Sequence, residues 1–199
     1  PSRAAASGGA RELASVSSAP LSDILALSLK TSDNTMTEVE GRLVAVHAKQ
    51  SADFAGASKA VIAQLGKDGF DTSGLTLLDA SGLAKGNKVP ARLLAQILAK
   101  AAGGEGGSAG RTLIADLPVA ALDGTLTNRL HDTTAAGTVR AKTGSLERTS
   151  SLAGVVTTAD GRLLAFAILA NGFPANGGSA AGAAIDNHFV APLASCGCS

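Results

Sequence analysis

Two short groups of residues carry the types that peptide chemistry needs: Ser32, Asp33 and Asn34 in "LKTSDNTM", and Lys142, Thr143, Gly144 and Ser145 in "RAKTGSL". A hydroxyl close to a lysine can relay a proton. A lysine beside two hydroxyls can attract and hold a carboxylate, and a glycine in a strand lets another backbone come close. Taken singly, Ser-Asp-Asn is usually a helix cap and Lys-Thr-Gly a strand end. What raises both is their order and their setting: the first at a corner between helices, the second at the head of a run of strands.

The elements that must position them read clearly. Residues 1–10 are small and polar, a linker or loop end, and "RELASVSSAP" alternates enough for a short strand over 11–20. Pro20 suits the first turn of a helix with Leu21, Ile24, Leu25 and Leu29 on one face. A second helix starts near Thr35, with Met36, Val39, Leu43 and Val46 at helical spacing. A third covers about 52–67, with Phe54, Val61, Ile62 and Leu65 inward. "LTLLDASGL" reads as a buried strand running into a turn, in which Asp79 and Ser81 are turn-formers. Pro90 opens a fourth helix, closed by the loop "GGEGGSAG", and shorter helical pieces follow over 111–131. Three strands are predicted at 138–145, 149–158 and 162–171, the last two joined at Asp160-Gly161. A terminal helix, "SAAGAAIDNHFVAPLAS", completes an α+β arrangement of helices, an antiparallel meander and a covering helix. The strand "RLLAFAILA" is apolar on both faces, so it is expected inside a sheet, with one flank awaiting a partner.

Composition narrows the partners. Lys and Arg total 17 against 16 Asp and Glu, so no broad positive field draws nucleic acid or an anionic membrane. With no Tyr or Trp and five Phe, base-stacking platforms are also unexpected. The longest apolar run, Leu163 to Ala170, is far short of the roughly 20 residues of a membrane helix. His47, His131 and His188 lack metal-type spacing, and Cys196 and Cys198 are too few to complete a zinc site; they read as a terminal disulfide or as thiols. Neither a metal nor a cofactor is expected. The chain starts at Pro1 without a leader, as a trimmed or partial chain would.

Longer stretches carry a resemblance. "LKTSDNTMTEVEGRLV", "LLDASGLAKGNKVPARLL" and "LPVAALDGTLTNRL", with the Lys-Thr-Gly strand, resemble the C-terminal part of class C low-molecular-mass penicillin-binding proteins, the D-alanyl-D-alanine carboxypeptidases and endopeptidases of peptidase family S13. The likeness covers roughly residues 10–195. It implies the α/β (α+β) penicillin-binding and β-lactamase-like transpeptidase fold, with residues 11–199 as the C-terminal part of that domain. It further implies a serine enzyme acting outside the cytoplasmic membrane on peptidoglycan stem peptides, with β-lactams as acylating ligands. By the same resemblance Ser32 relays a proton to the leaving nitrogen, Asn34 holds the substrate backbone and the lysine that activates the nucleophilic serine, and Lys142 favours the substrate carboxylate. Thr143 and Ser145 bond that carboxylate, and Gly144 lets the peptide lie along the strand.

One part of the family's pattern is missing. The nucleophile stands in Ser-x-x-Lys, and three positions before the lysines stand Leu27, Val46, Gly56, Gln64, Gly82, Lys85, Ile97 and Val139, none of them serine. The chain by itself is therefore expected to be inactive and to associate through its exposed apolar strand, with the nucleophile in an N-terminal part of the same protein or in a companion chain. The competing readings are a peptide-binding module without catalysis and a class A β-lactamase, which shares the two tripeptides but not the longer stretches.

Overall fold

A computed structural model describes residues 4–196. Five helices come first: α1 Leu21–Thr31, α2 Asn34–His47, α3 Phe54–Lys67, α4 Ala91–Ala102 and α5 Gly107–Asp116. After a single 3-10 turn, Gly124–Leu126, the chain forms the antiparallel meander β1 Val139–Leu146, β2 Thr149–Thr157 and β3 Leu163–Asn171, in that spatial order. The chain ends in α6 Gly178–Ile185, a π-helical segment Asp186–Val190, and α7 Ala191–Ser195.

The sheet is covered on both faces. Val139, Ala141, Leu152, Val156 and Phe166 meet Leu126, Leu130, Ile185, Val190 and Ala194 on one side, while Leu98, Leu117 and Val155 pack with Ile114, Ala153 and Ala165 on the other. Alternation along the strands therefore sends Lys142 and Thr143 to opposite faces. A partly buried ion pair closes the first of these cores. Arg129 donates through Nε and Nη2 to the two carboxylate oxygens of Asp186, at 2.8 and 2.6 Å. Removing one member strands the other charge, so Asp186→Ala is expected to cost about 3 kcal/mol in urea unfolding. A loss under about 1 kcal/mol would show that the pair is not a clamp.

Several expectations are corrected. Residues 11–20 form no strand, and Leu13 and Val16 are almost fully exposed, because no described strand lies beside them to complete a ladder. The 75–83 stretch is a loop with one isolated bridge, Thr76 to Lys88. There Asp79 accepts the backbone N–H groups of Gly82 and Ala84 and the amide of Asn87, and these local bonds displace a strand ladder. Helix α5 begins inside the glycine-rich loop, where Gly110 approaches Ala101 so closely that a Cβ would lie 2.9 Å from the alanine Cα.

The helix faces also differ from the apolar stripes. Helix α2 buries Gly41 and Ala45 while Val39, Leu43 and Val46 are about half exposed. Helix α3 buries Gly56, Ala57, Ser58 and Ala60 rather than Phe54, and in α1 Ser28 is buried while Leu21 is exposed. Small residues let α2 approach α3 and the Asp79 loop: a Cβ on Gly41 would sit 2.7 Å from that of Ala80 and 3.4 Å from that of Ala57. The terminal helix is broken by the π segment just before Pro192, whose missing N–H interrupts the regular ladder. Strand β3 pairs with β2 alone and forms an edge of the sheet among the described residues, with Leu164, Ile168 and Leu169 only half buried. The expected pairing of Cys196 with Cys198 falls outside the described residues.

Candidate active site

The corner between α1 and α2 is built by three residues with different tasks. Ser32 ends α1 in the left-handed conformation, φ 56° and ψ 45°, with its N–H bonded to the Ser28 carbonyl. A left-handed serine costs roughly 1 kcal/mol, and the reversal it imposes turns the chain into α2. Asp33 caps that helix: its Oδ1 accepts the Met36 N–H at 2.9 Å, and its carbonyl accepts the Thr37 hydroxyl. Asn34 is the first residue of α2 and is exposed.

Strand β1 brings the second group to this corner. The Lys142 Nζ donates to Ser32 Oγ at 2.7 Å, across 110 positions of sequence, and to the Thr143 carbonyl at 2.9 Å. No carboxylate pairs with Lys142 among the described residues. Burial penalises its charged form and pulls its pKa below the ordinary lysine value. On the other face of the strand the Thr143 and Thr125 hydroxyls pair, Oγ1 to Oγ1, at 2.9 Å. Gly144 lies against β2, where Ser151 Oγ donates to its carbonyl at 3.4 Å and a Cβ would stand 2.3 Å from that oxygen. Ser145 is exposed at the strand end.

The outer edge of β1 has two parts. Up to Ala141 it is paired with the segment before the 3-10 turn, through Ala141 N–H to the Pro118 carbonyl and Ala120 N–H to the Val139 carbonyl. Beyond Ala141 no described segment pairs with it. An extended peptide can add there as a further strand.

Of the residues singled out from the sequence, the Ser32 and Lys142 side chains thus meet, Thr143 gives Lys142 only its carbonyl and turns its hydroxyl to the other face, and Gly144 lies beside them. The Asn34 side chain makes no hydrogen bond to Ser32 or Lys142; it lines a cavity of about 370 Å³ with Thr35, Glu38, Arg42, Phe54, Asp79, Ser81 and Leu83. The Asp79 loop is docked on that cavity by Glu38, whose Oε1 accepts the N–H groups of Ala80 and Ser81. Burial pushes Asp79 upward, but hydrogen bonds from Asn87, Ala84, Gly82 and Ser81 outweigh it and hold the carboxyl below its usual range.

Sequence reasoning missed three contributors. Lys30 donates to the Leu117 carbonyl at 2.7 Å and to both oxygens of Asp123, at 2.9 and 2.7 Å, bracing the Ser32 corner against the segment that leads into β1. Asp123 also accepts the Val119 N–H at 2.7 Å. Desolvation raises its pKa, and the bonds from Lys30 and Val119 with the Lys30 charge lower it further than that, leaving the group below its ordinary value. Thr125 lies in "LPVAALDGTLTNRL", a stretch the resemblance included without giving any of its residues a role.

The profile of the D-Ala-D-Ala carboxypeptidase 3 (S13) family matches residues 2–192. The chain belongs to this family. Carboxypeptidase DacB of Mycolicibacterium smegmatis is 44% identical over 194 residues, spanning 96% of this chain and 41% of that protein. The crystal structure of penicillin-binding protein 4 from Haemophilus influenzae, complexed with a β-lactam, superposes with a TM-score of 0.72 at 34% identity over 77% of this chain and 36% of that one. The TLA-3 extended-spectrum β-lactamase superposes at 0.56 with 19% identity, covering 75% of this chain and 55% of its own, a likeness of fold alone. The S13 chain therefore has the penicillin-binding and β-lactamase-like fold, and it spans about two fifths of the length of the curated relative. No helix among its described residues is long and apolar enough to cross a membrane.

Proposed function

We propose that this S13 chain supplies the proton-relay and carboxylate-binding half of a serine-type D-Ala-D-Ala carboxypeptidase or endopeptidase acting on peptidoglycan stem peptides. The observation that carries the reading is the 2.7 Å contact between Lys142 Nζ and Ser32 Oγ. It joins the two tripeptides into one relay, at the strand edge where a peptide can add.

In this mechanism a serine oxygen attacks the carbonyl between the two D-Ala residues. The serine ester bond forms and the peptide C–N bond breaks. The proton that the attacking hydroxyl gives up is relayed through Ser32, held in line by Lys142, to the departing nitrogen, so Lys142 keeps its charge. The terminal carboxylate lies at the unpaired edge of β1, drawn by the Lys142 charge from one face and accepting hydrogen bonds from Thr143 and Ser145 on the other. Gly144 admits the substrate backbone, and Asn34 bonds its amide groups from the cavity side. Water then frees the acyl group. The nucleophile comes from a Ser-x-x-Lys segment in the part of the family's length that this chain does not match, or from a companion chain. Strands from that part would add to the half-buried outer edge of β3. The action is extracytoplasmic, where peptidoglycan lies.

The test is an intact mass spectrum after incubation with benzylpenicillin. The complete protein is expected to gain one penicillin adduct on a serine outside these residues, and the 199-residue chain alone none. An adduct on this chain alone would overturn the assignment of the nucleophile; a complete protein that never acylates would leave only the peptide-binding module.

A further inference from the structure

The Thr125–Thr143 contact is used by no step above. It pairs two hydroxyls, each with one proton and two acceptor sites. Either hydroxyl can donate across the 2.9 Å contact, and neither makes another side-chain hydrogen bond among the described residues. A carboxylate only accepts, so its arrival takes the proton of Thr143 and fixes the direction of the pair. Thr143 Oγ1 then keeps its partner only with Thr125 as the donor.

The backbone around Thr125 is built to hold still. Gly124 has φ 58°, and a Cβ there would lie 2.8 Å from the Lys30 carbonyl, so the turn is pressed against the end of α1. On the other side Leu126 is fully buried and its carbonyl accepts the Ala121 N–H at 3.1 Å. Asp123, just before the turn, is held by Lys30 and Val119. Thr127 Oγ1 donates to the Gly124 carbonyl at 2.8 Å. A hydroxyl fixed by its backbone on both sides is a positioning group.

We propose that Thr125 is a specificity-determining positioning residue: by donating to Thr143 Oγ1 it orients and polarises that hydroxyl toward a free C-terminal carboxylate on the substrate. This rests on the reading that Thr143 binds that carboxylate. Two hydroxyls donating in one direction make the terminal donor stronger than a lone hydroxyl, and the gain is greatest when the acceptor carries a charge. The residue therefore separates free acids from ligands whose terminus is esterified, rather than raising reactivity toward both.

The experiment uses the complete protein and two probes, benzylpenicillin and its methyl ester, with second-order acylation rates read for each. Thr125→Val, which keeps the shape and removes the hydroxyl, is expected to lower the rate with the free acid about tenfold and to leave the ester rate within about twofold. Thr125→Ser is expected to restore the preference for the acid. An equal loss with both probes would show a merely structural role, and unchanged rates with both would remove the proposal. Should the valine variant not fold, Thr125→Ala removes the same hydroxyl and is read in the same way. A wild-type protein that reacts with neither probe would instead overturn the carboxypeptidase reading itself. An acylating wild type with an indifferent Thr125→Val would sink the Thr125 proposal alone.

Discussion

Replacing Lys142 by alanine in the complete protein is expected to lower both peptide turnover and penicillin acylation about 10³-fold, the scale of losing a positioned acid–base group. Two losses combine. Ser32 Oγ no longer accepts from the ammonium 2.7 Å away, so the relay is no longer oriented, and the cleft loses the charge that attracts a carboxylate. The lysine stands without a carboxylate partner among the described residues, so its charge is available to the substrate rather than neutralised. Burial has already lowered its pKa. The sign follows directly: the charged form, which favours the carboxylate, prevails below the folded pKa and is lost as pH rises through it. KM for an acid-terminated peptide is therefore expected to rise on the alkaline side at a lower pH than an ordinary lysine would give. Lys142→Arg keeps the charge and loses that alkaline transition. Near-normal rates for Lys142→Ala would remove the lysine from the mechanism.

Ser32→Ala is expected to discriminate between leaving groups. A peptide nitrogen must be protonated as it departs, and loss of the relay should cut kcat/KM for a D-Ala-D-Ala peptide by about 10²- to 10³-fold. A thioester analogue with the same acyl group expels a thiolate that needs no proton, so its rate is expected to stay within about tenfold of wild type. Equal losses on both substrates would mean that Ser32 shapes the site without moving the proton. The left-handed backbone at Ser32 makes this control necessary, because φ 56° is a conformation that the following helix depends on. Alanine tolerates it about as poorly as serine does, so the two substrates, compared in one variant, separate chemistry from geometry.

Much of the framework was legible because its signals are local. Pro20 and Pro90 each stand just ahead of a helix. Asp160-Gly161 closes the hairpin between β2 and β3, and Gly161 has the positive φ that such a turn needs. The three strands lie within a residue or two of where β-branched and apolar alternation puts them. What failed depended on neighbours. Residues 11–20 alternate like a strand but have nothing beside them, and the 75–83 stretch gave up its ladder to the Asp79 carboxylate. Helices α2 and α3 turned small residues inward because close approach of two backbones outweighed burial of the larger side chains, a choice that apolar spacing cannot reveal.

The candidate site divides in the same way. Residue types and order in the sequence determined that a hydroxyl, an amide, a lysine and a flexible strand position were present, and that Ser-x-x-Lys was not. Tertiary structure decided which of them meet. Ser32 and Lys142 touch because a left-handed residue turns α1 into α2 beside β1, and the Lys30–Asp123 brace holds that corner to the segment feeding the strand. Thr125 joins Thr143 only because a 3-10 turn, itself held by Gly124 and Leu126, is packed under the sheet edge. Asn34 lines the neighbouring cavity, apart from the Ser32–Lys142 contact. Spacing along a chain governs what shares a helix face or a strand edge; contacts between residues 18 and 110 positions apart are set by how whole elements pack.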